Sequence, residues 1–350
     1  MDTEWIYFDA VTGYDKGELN HAAQILRQGG LVAFPTETVY GLGGHGFNPQ
    51  AAKKIYEAKG RPSDNPLILH ISKREELDAI AARIPETAEK LMDAFWPGPM
   101  TLIFEKTKAV PYETTGGLDT VAVRMPSHEG ARQLIESAGV PVAAPSANTS
   151  GRPSPTTAEH VKEDLWGRID MIIDGGLVGI GVESTIIDVT EETPTILRPG
   201  HITKNMIAKV IGTVQMDAGL SGLDQSVKPK APGMKYRHYA PKASMTVIQG
   251  KKEAVIRRIE ELAAEYPKEK VGILAADETL SCYTHGQVVS AGSRNEHTIE
   301  QGLYRALREF DHMGVSVIFS ESFADDDRSE AIMNRLLKAA GQKIEYLSDK

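Results

Sequence analysis

The chain has 350 residues, of which 41% are hydrophobic and 25% are charged, a balance typical of a folded protein with a normal core. Its length favours two domains. The net charge of −9 argues against broad nucleic-acid binding, which needs a basic surface. A lone cysteine, Cys282, excludes disulfide bonds within the chain and fits a reducing, cytoplasmic setting. There is no apolar run of membrane-spanning length and no basic leader, so we expect neither a membrane anchor nor a signal peptide.

Residues 15–212 alternate between helix-like and strand-like segments, which predicts an α/β domain over residues 1–212, built on a twisted, mixed sheet. An amphipathic helix with Leu19 and Leu26 on its apolar face is predicted to end at Gly29. A second helix is predicted to begin at Asn48 and to end at Gly60. Further helices are predicted at residues 130–137 and 157–165, and strands at 31–34, 67–71, 100–104, 121–124, 142–144, 171–173, 185–189 and 196–198.

Residues 213–242 are poor in apolar side chains and rich in glycine and proline, which predicts a linker. Their last part, from Pro232 to Pro241, has too many aromatic and cationic groups for a passive spacer. Residues 243–350 resume the alternation and predict a smaller Rossmann-like α/β domain. Its strands are predicted at residues 245–248, 271–275, 288–290 and 315–319, and its helices at 252–266, 299–312 and 329–340.

The most informative stretch runs from Lys59 to Leu67. Lys59 and Arg61 lie two residues apart, in a loop that Pro62 and Pro66 stiffen, just before an apolar strand. Two cations in a rigid loop at the rim of a sheet suit a phosphate-rich ligand. A solvated basic turn is an equally good interpretation of this stretch by itself.

A glycine pattern at residues 41–46 matches the dinucleotide-binding fingerprint, but six residues separate it from the preceding strand, which is the wrong spacing. We therefore expect the glycines to allow a tight, irregular backbone. The separating residues, 35–40, carry hydroxyls and a carboxylate that fit a binding crevice or, alternatively, a capped turn.

Two more features suggest a site. Residues 145–151 (PSANTSG) follow an apolar strand, and their small polar groups suit phosphate oxygens, a metal-bound water or an ordinary turn. Arg124 and Arg198 each end an apolar strand and need a partner if they are buried, which is either a substrate carboxylate or an internal acid. The sequence shows neither a zinc-ligand spacing nor a nucleophile elbow.

Together, these pieces resemble the YrdC-like domain, and the linker and smaller domain resemble the long form of the threonylcarbamoyl-AMP synthase family. The matching motifs occur in the expected order: residues 34–43 (FPTETVYGLG), 59–62 (KGRP), 122–126 (AVRMP), 146–148 (SAN) and 183–185 (EST). The resemblance covers nearly the whole chain.

The resemblance implies a cytoplasmic enzyme, a nucleotidyltransferase that converts L-threonine, bicarbonate and ATP into threonylcarbamoyl-AMP and pyrophosphate. A separate protein complex then transfers the threonylcarbamoyl group to tRNA. Magnesium would accompany ATP, held mainly by phosphates and water without a direct protein ligand. Stable nucleic-acid binding is not expected.

The resemblance also implies roles for individual residues. Lys59, Arg61, Ser146 and Asn148 would carry the catalytic charge stabilisation and bind ATP, together with Asn65, Thr120, Ser154 and Arg198. Thr38, His70, Arg124, Ser184 and the backbone of Ala144 would form the threonine pocket. Lys235, Tyr236, Arg237 and His238 are hypothesised to fold over the nucleotide as a lid, which gives Tyr236 and Arg237 a place in ATP binding.

Three alternatives stay open on the sequence. YrdC-like domains have been associated with RNA binding, although the net acidity counts against it. A hydrogenase-maturation carbamoyl transferase carries a related domain, but such proteins have zinc-binding cysteine clusters that one cysteine cannot supply. An NAD enzyme would require the misplaced glycine pattern to bind a dinucleotide.

Overall fold

The computed structural model describes residues 2–221, 238–324 and 329–348. Contacts within the chain define two compact units. The first comprises Met1–Ser150 and Ser154–Tyr236, and the second comprises Gly151–Pro153 and Arg237–Lys350. Both are α/β units, each built on its own sheet, so the predicted fold class is confirmed.

Among the described residues, the first unit contains one 11-stranded mixed sheet. Its strands are β1 (Glu4–Tyr7), β2 (Val32–Phe34), β3 (Gly41–His45), β4 (Ile68–His70), β5 (Met100–Glu105), β6 (Thr120–Arg124), β7 (Val142–Ala143), β8 (Met171–Asp174), β9 (Thr185–Asp188), β10 (Thr195–Arg198) and β11 (Gln215–Met216). Their order across the sheet is β1-β8-β2-β3-β7-β4-β6-β5-β9-β10-β11.

Helices pack against this sheet through apolar faces, and most begin at a residue whose side chain accepts backbone N–H groups. Asp15, Thr157 and Thr203 do so at the starts of three of them. The helices of the first unit are α1 (Lys16–Arg27), α2 (Pro49–Lys59), α3 (Glu86–Phe95), α4 (Tyr112–Thr115), α5 (Glu129–Ala138), α6 (Ala158–Leu165) and α7 (Lys204–Ile211).

Helix α2 has the ends that the sequence predicts. The Asn48 side chain accepts the Gln50 N–H, and Pro49 occupies the first turn. Gly60 ends the helix in the left-handed conformation, with φ of 61°. The cap therefore fixes where Lys59 leaves the helix and where the loop to β4 begins.

The expectation of an irregular backbone at the glycines is wrong, because Gly41–His45 forms strand β3 between β2 and β7. A Cβ atom at Gly43 would lie 2.8 Å from both Phe34 Cε1 and Val142 Cγ1. These glycines are thus required by close packing between strands. They do not form a phosphate loop ahead of a helix, so the dinucleotide interpretation is also excluded.

Besides β3, two further strands of the first unit lie where none was predicted. Strand β1 pairs in parallel with β8 at one edge of the sheet. Strand β11 pairs in parallel with β10, although its residues fall within the predicted linker. Both are short edge strands whose sequences carry little alternation, so pairing with a neighbour rather than local pattern determines them.

The second unit has a 5-stranded sheet in which every described pairing is parallel. Its strands are β12 (Ser244–Gln249), β13 (Val271–Ala276), β14 (Gln287–Gly292), β15 (Val317–Glu321) and β16 (Ile344–Tyr346), and its helices are α8 (Lys252–Ala263), α9 (Ile299–Met313) and α10 (Ser329–Ala339). The order is β14-β13-β15-β12-β16. The Rossmann-like pattern is thus confirmed, with the unpredicted β16 added at one edge.

Apolar side chains fill both faces of the larger sheet, as in layered α/β domains. None of the helices in the described part of the chain combines the length and apolar character needed to cross a lipid bilayer.

The packing of β3 gives a stability prediction. Replacing Gly43 with alanine should lower the free energy of unfolding by about 1 to 3 kcal/mol, because the new methyl group overlaps two buried side chains. Urea denaturation measures this change. Gly179→Ala is a suitable control, since a Cβ there has its nearest neighbour, Glu37 O, at 3.9 Å. Equal stability of the two variants would contradict the packing argument.

Candidate active site

Three strands place His70, Arg124 and Thr101 in one row across the sheet. His70 of β4 is paired with Arg124 of β6, and Arg124 is paired with Thr101 of β5. Paired residues on neighbouring strands project from the same face. The register therefore gathers a histidine, an arginine and a hydroxyl group from three separate parts of the sequence.

Arg124 is held by the segment that follows β2. Its side chain is buried, and its Nη1 donates a hydrogen bond to Thr38 Oγ1 at 2.9 Å. Its Nη2 lies 2.8 Å from Glu37 Oε1. Of the two partners that the sequence left open for Arg124, the internal acid is thus present. Thr38, which was predicted to line the same pocket, contacts Arg124 directly.

The Glu37–Arg124 pair is close but poorly aligned for a hydrogen bond. Arg124 Nη2 and both carboxylate oxygens of Glu37 are buried and lack a hydrogen-bond partner of good geometry in the described structure. Burial by itself would raise the pKa of Glu37, but the neighbouring Arg124 guanidinium and nearby backbone N–H groups together outweigh it, and the pKa lies below its ordinary value. The pair therefore neutralises itself while keeping donors and acceptors for a ligand.

His70 is neutral in this setting. Burial, reinforced by the neighbouring Arg124 charge, lowers the pKa of His70 to about 3. Its Nδ1 lies 3.1 Å from the Ile68 carbonyl oxygen. An uncharged imidazole can offer a hydrogen bond to a ligand without opposing the charge of Arg124.

Ser184 extends the same group of side chains. Its Oγ lies 2.7 Å from Thr101 Oγ1 and accepts a hydrogen bond from Arg198 Nη2 at 3.1 Å. Arg198 Nε also donates to the Ser184 carbonyl oxygen at 3.0 Å. Arg198, expected on the nucleotide side, therefore adjoins a residue expected in the threonine pocket.

A second group surrounds the loop after β7. Lys59 is buried, and its Nζ donates to the carbonyl oxygens of Ser146 and Asn148. Ser146 Oγ donates to Asn148 Oδ1 at 2.6 Å. Lys59 thus fastens this loop in addition to carrying a charge, and the structure brings together three of the four residues predicted to be catalytic.

The fourth, Arg61, is half-buried and folds back on its own loop. Its Nη2 donates to the carbonyl oxygens of Pro66 at 3.1 Å and Asn65 at 3.3 Å. The Asn65 side chain is also buried, and its Oδ1 has no hydrogen-bond partner in the described structure. An unsatisfied buried acceptor is costly, so this oxygen fits a ligand donor.

Thr120 lies on the sheet face that carries Arg124, because the two are four positions apart on β6. That spacing corresponds to about 13 Å along the strand. At Ala144, the N–H already donates to the Ile68 carbonyl oxygen at 2.9 Å, so its own carbonyl is the backbone group left for a ligand.

Three polar residues of this region were missed as site residues. The first is Glu183, which belongs to a matching motif but had no predicted role. It accepts a hydrogen bond from Ser154, a fully buried residue that was expected near the nucleotide. Glu37 follows a strand end with a recognisable pattern of hydroxyls and a carboxylate. Thr101 lies inside an apolar strand, where no sequence signal distinguishes it from the core.

The described residues contain no cluster of three or more histidine, cysteine, aspartate or glutamate side chains that could hold a metal ion. The oxygens of Ser146 and Asn148 can accept hydrogen bonds from the waters of a hydrated magnesium ion. Tyr236 and Arg237 of the hypothesised lid lie outside the described residues, as does Lys235.

This arrangement can bind two anions or one zwitterion and one polyanion. The group around Arg124 offers opposite charges side by side, and the group around Lys59 offers cations and small polar donors. Described residues from both groups lie along one sheet, and neither group includes an activated nucleophile. Such a site can position two substrates and stabilise charge.

Comparison with known proteins agrees with this geometry. Residues 24–200 match a family described as "Telomere recombination", and residues 202–341 match the threonylcarbamoyl-AMP synthase C-terminal domain. The chain is 50% identical to threonylcarbamoyl-AMP synthase of Pyrococcus abyssi, over 94% of this chain and 96% of that protein. It is 51% identical to threonylcarbamoyl-AMP synthase of Bacillus subtilis, over 93% and 94% of the two chains.

Among solved structures, the crystal structure of Pyrococcus abyssi Sua5 complexed with L-threonine superimposes with a TM-score of 0.94 and 48% identity. The match covers 99% of this chain and 100% of that one. Both units are therefore shared with that protein. The chain belongs to the threonylcarbamoyl-AMP synthase family, in its long two-domain form.

Proposed function

We propose that this protein is a nucleotidyltransferase that converts L-threonine, bicarbonate and ATP into threonylcarbamoyl-AMP and pyrophosphate. The observation that carries this proposal is the buried Arg124, which is paired with Glu37 and lies on the same strand face as Thr120. An amino acid bound at one end of that face and a nucleotide at the other would bring their reacting groups together.

The amino-acid subsite is assigned to the group around Arg124. The guanidinium would bind the α-carboxylate of threonine through Nη2, which lacks a well-aligned partner. Glu37 would hold Arg124 in place as a positioning residue. Thr38, His70, Ser184 and the carbonyl of Ala144 would complete the pocket.

Selection of threonine over valine follows from the polarity of this pocket. Neutral His70 and the Ser184 hydroxyl are both buried, so a ligand without a hydroxyl group would leave polar atoms unpaired. A site that hydrogen-bonds a substrate hydroxyl rejects the analogue without it much more strongly than an apolar pocket can.

The nucleotide subsite is assigned to the loops around Lys59. Lys59 and Arg61 would neutralise the phosphates, and the Ser146–Asn148 loop, which Lys59 fastens, would hold phosphate oxygens. Asn65, Thr120, Ser154 and Arg198 would complete it. The roles of Tyr236 and Arg237 in a lid stay predictions.

The reaction then needs no protein nucleophile. The threonine amine attacks the carbon of bicarbonate, and water is lost as an N-carboxylate forms. An oxygen of that carboxylate attacks the α-phosphorus, and the bond to the bridging oxygen breaks as pyrophosphate leaves. The protein's part is to orient both substrates and to stabilise the charge that builds on the phosphates.

Magnesium fits this assignment as a companion of ATP. Ser146 and Asn148 supply neutral oxygen groups but no cluster of carboxylates, so they would contact the waters of an ion that ATP phosphates hold. When bound, the ion neutralises phosphate charge. We further propose that the product passes to the complex that modifies tRNA, within the cytoplasm.

The direct test incubates the protein with ATP, bicarbonate and single amino acids, and measures pyrophosphate and the adenylate product. We expect pyrophosphate release only when threonine and bicarbonate are both present. Release that is independent of either one would overturn the proposal.

Glu37→Gln tests the amino-acid subsite. It removes the charge at nearly constant size, so Arg124 loses its buried counter-ion. We expect KM for threonine to rise roughly tenfold or more, equivalent to about 1.4 kcal/mol or more, with KM for ATP little changed. Glu89→Gln, at an exposed position, is the matched control. An unchanged KM for threonine would show that Glu37 does not position Arg124.

Arg61→Ala tests the nucleotide subsite. Loss of the guanidinium should raise KM for ATP or lower kcat by roughly tenfold or more, because phosphate charge is then less well neutralised. Lys53→Ala removes an exposed cation from α2 and serves as the control. Full activity of Arg61→Ala would remove this residue from the site.

A further inference from the structure

The second unit has a cavity that the proposed reaction does not use. Because all described strands of its sheet are parallel, their carboxyl ends lie at the same end of the sheet. An open cavity of about 680 Å³ lies at this end of the sheet. It is lined by the last residues of β12, β15 and β16, which are Gln249, Glu321 and Tyr346. Ligand sites in proteins commonly measure about 300 to 1,000 Å³.

The cavity lies where the chain connections diverge. The chain passes from β13 to its outer neighbour β14, and from β15 to β16 on the opposite edge. In open α/β sheets, ligands bind beyond the carboxyl ends of strands at such a reversal. Topology alone therefore favours a ligand site at the carboxyl ends of these strands over one at their amino ends.

The carboxylates of the cavity already have partners. Glu321 accepts hydrogen bonds from Tyr283 Oη at 2.8 Å and from Arg294 Nη2 at 3.0 Å. Glu278 accepts Ser293 Oγ at 2.6 Å and the backbone N–H of Asn295 at 3.1 Å. Neither acid therefore requires a cationic ligand.

The described lining carries a small excess of positive charge. It contains three cations, Lys251, Lys252 and Arg294, and two carboxylates, Glu278 and Glu321. Lys251 is the N-cap of α8, a 12-residue helix, and Lys252 begins its first turn. Because both residues line the cavity, the positive end of this helix, which lacks a side-chain cap, faces it.

One wall of the cavity is apolar. Val255, Leu347 and the largely exposed ring of Tyr346 lie beside the cationic turn. Gly250 keeps the strand-to-helix turn close to this wall, since a Cβ there would lie 2.9 Å from Leu347 Cβ. A flat apolar group next to an anionic group would match both walls.

We propose that this cavity binds a nucleoside monophosphate, with the phosphate at the first turn of α8 and the base against Tyr346. The residues that line it are different from those assigned to substrate ATP. Its occupancy would add a nucleotide-binding function to the second unit, independent of catalysis in the first.

Hydrogen exchange of the full-length protein with added AMP tests the proposal. The Arg61→Ala background weakens the catalytic nucleotide site and leaves the cavity intact. We expect AMP to slow exchange at residues 249–253 in this background, whereas adenosine and inorganic phosphate at the same concentration should not. Protection by phosphate alone, protection by magnesium alone, or no protection in this segment would each overturn the proposal.

Lys252→Glu supplies the matching variant. A glutamate suits the first turn of a helix, so α8 should stay folded, and threonylcarbamoyl-AMP synthesis should be unchanged. The apparent affinity for AMP, measured from the concentration that gives half-maximal protection, should fall roughly tenfold. Lys270→Glu is the control, because Lys270 directly precedes β13 and so lies at the amino ends of the same strands. Equal protection in the two variants would contradict the assignment.

Discussion

The buried ion pair of Glu37 and Arg124 is the interaction on which the site depends. A guanidinium this deeply buried would be costly without a counter-ion, and a substrate carboxylate cannot supply one before it binds. Glu37 provides the compensating charge in advance. Because the pair is poorly aligned for a hydrogen bond, it leaves Nη2 able to turn its donors to a ligand. The arginine is thus charged, fixed in place and still competent to bind.

The sheet turns this pair into a two-substrate site. Pairing of β4, β5 and β6 aligns His70 and Thr101 with Arg124, and β6 carries Thr120 on the same face about 13 Å away. Close strand packing at Gly43 sets β3 next to β7, and Lys59 fastens the loop that leaves β7. Stability and chemistry are linked here, since one lysine both closes a loop and supplies charge.

Local patterns in the sequence predicted the elements with clear local causes. The caps at Asn48 and Gly60 define α2, and apolar runs mark most strands. Strands β1 and β11 were missed because sheet pairing, rather than their own residues, determines them. Glu37 and Thr101 were missed for a related reason. Their partners, Arg124 and Ser184, are distant in sequence, and only the strand register brings them together.

The most direct measurement is a crystal structure of the protein with L-threonine and a non-hydrolysable ATP analogue. We expect the threonine carboxylate to lie at the Arg124 guanidinium, with Glu37 still paired behind it, and the phosphates to lie at Arg61 and the Ser146–Asn148 loop. A threonine carboxylate bound by a different cation, or phosphates at Arg124, would contradict it.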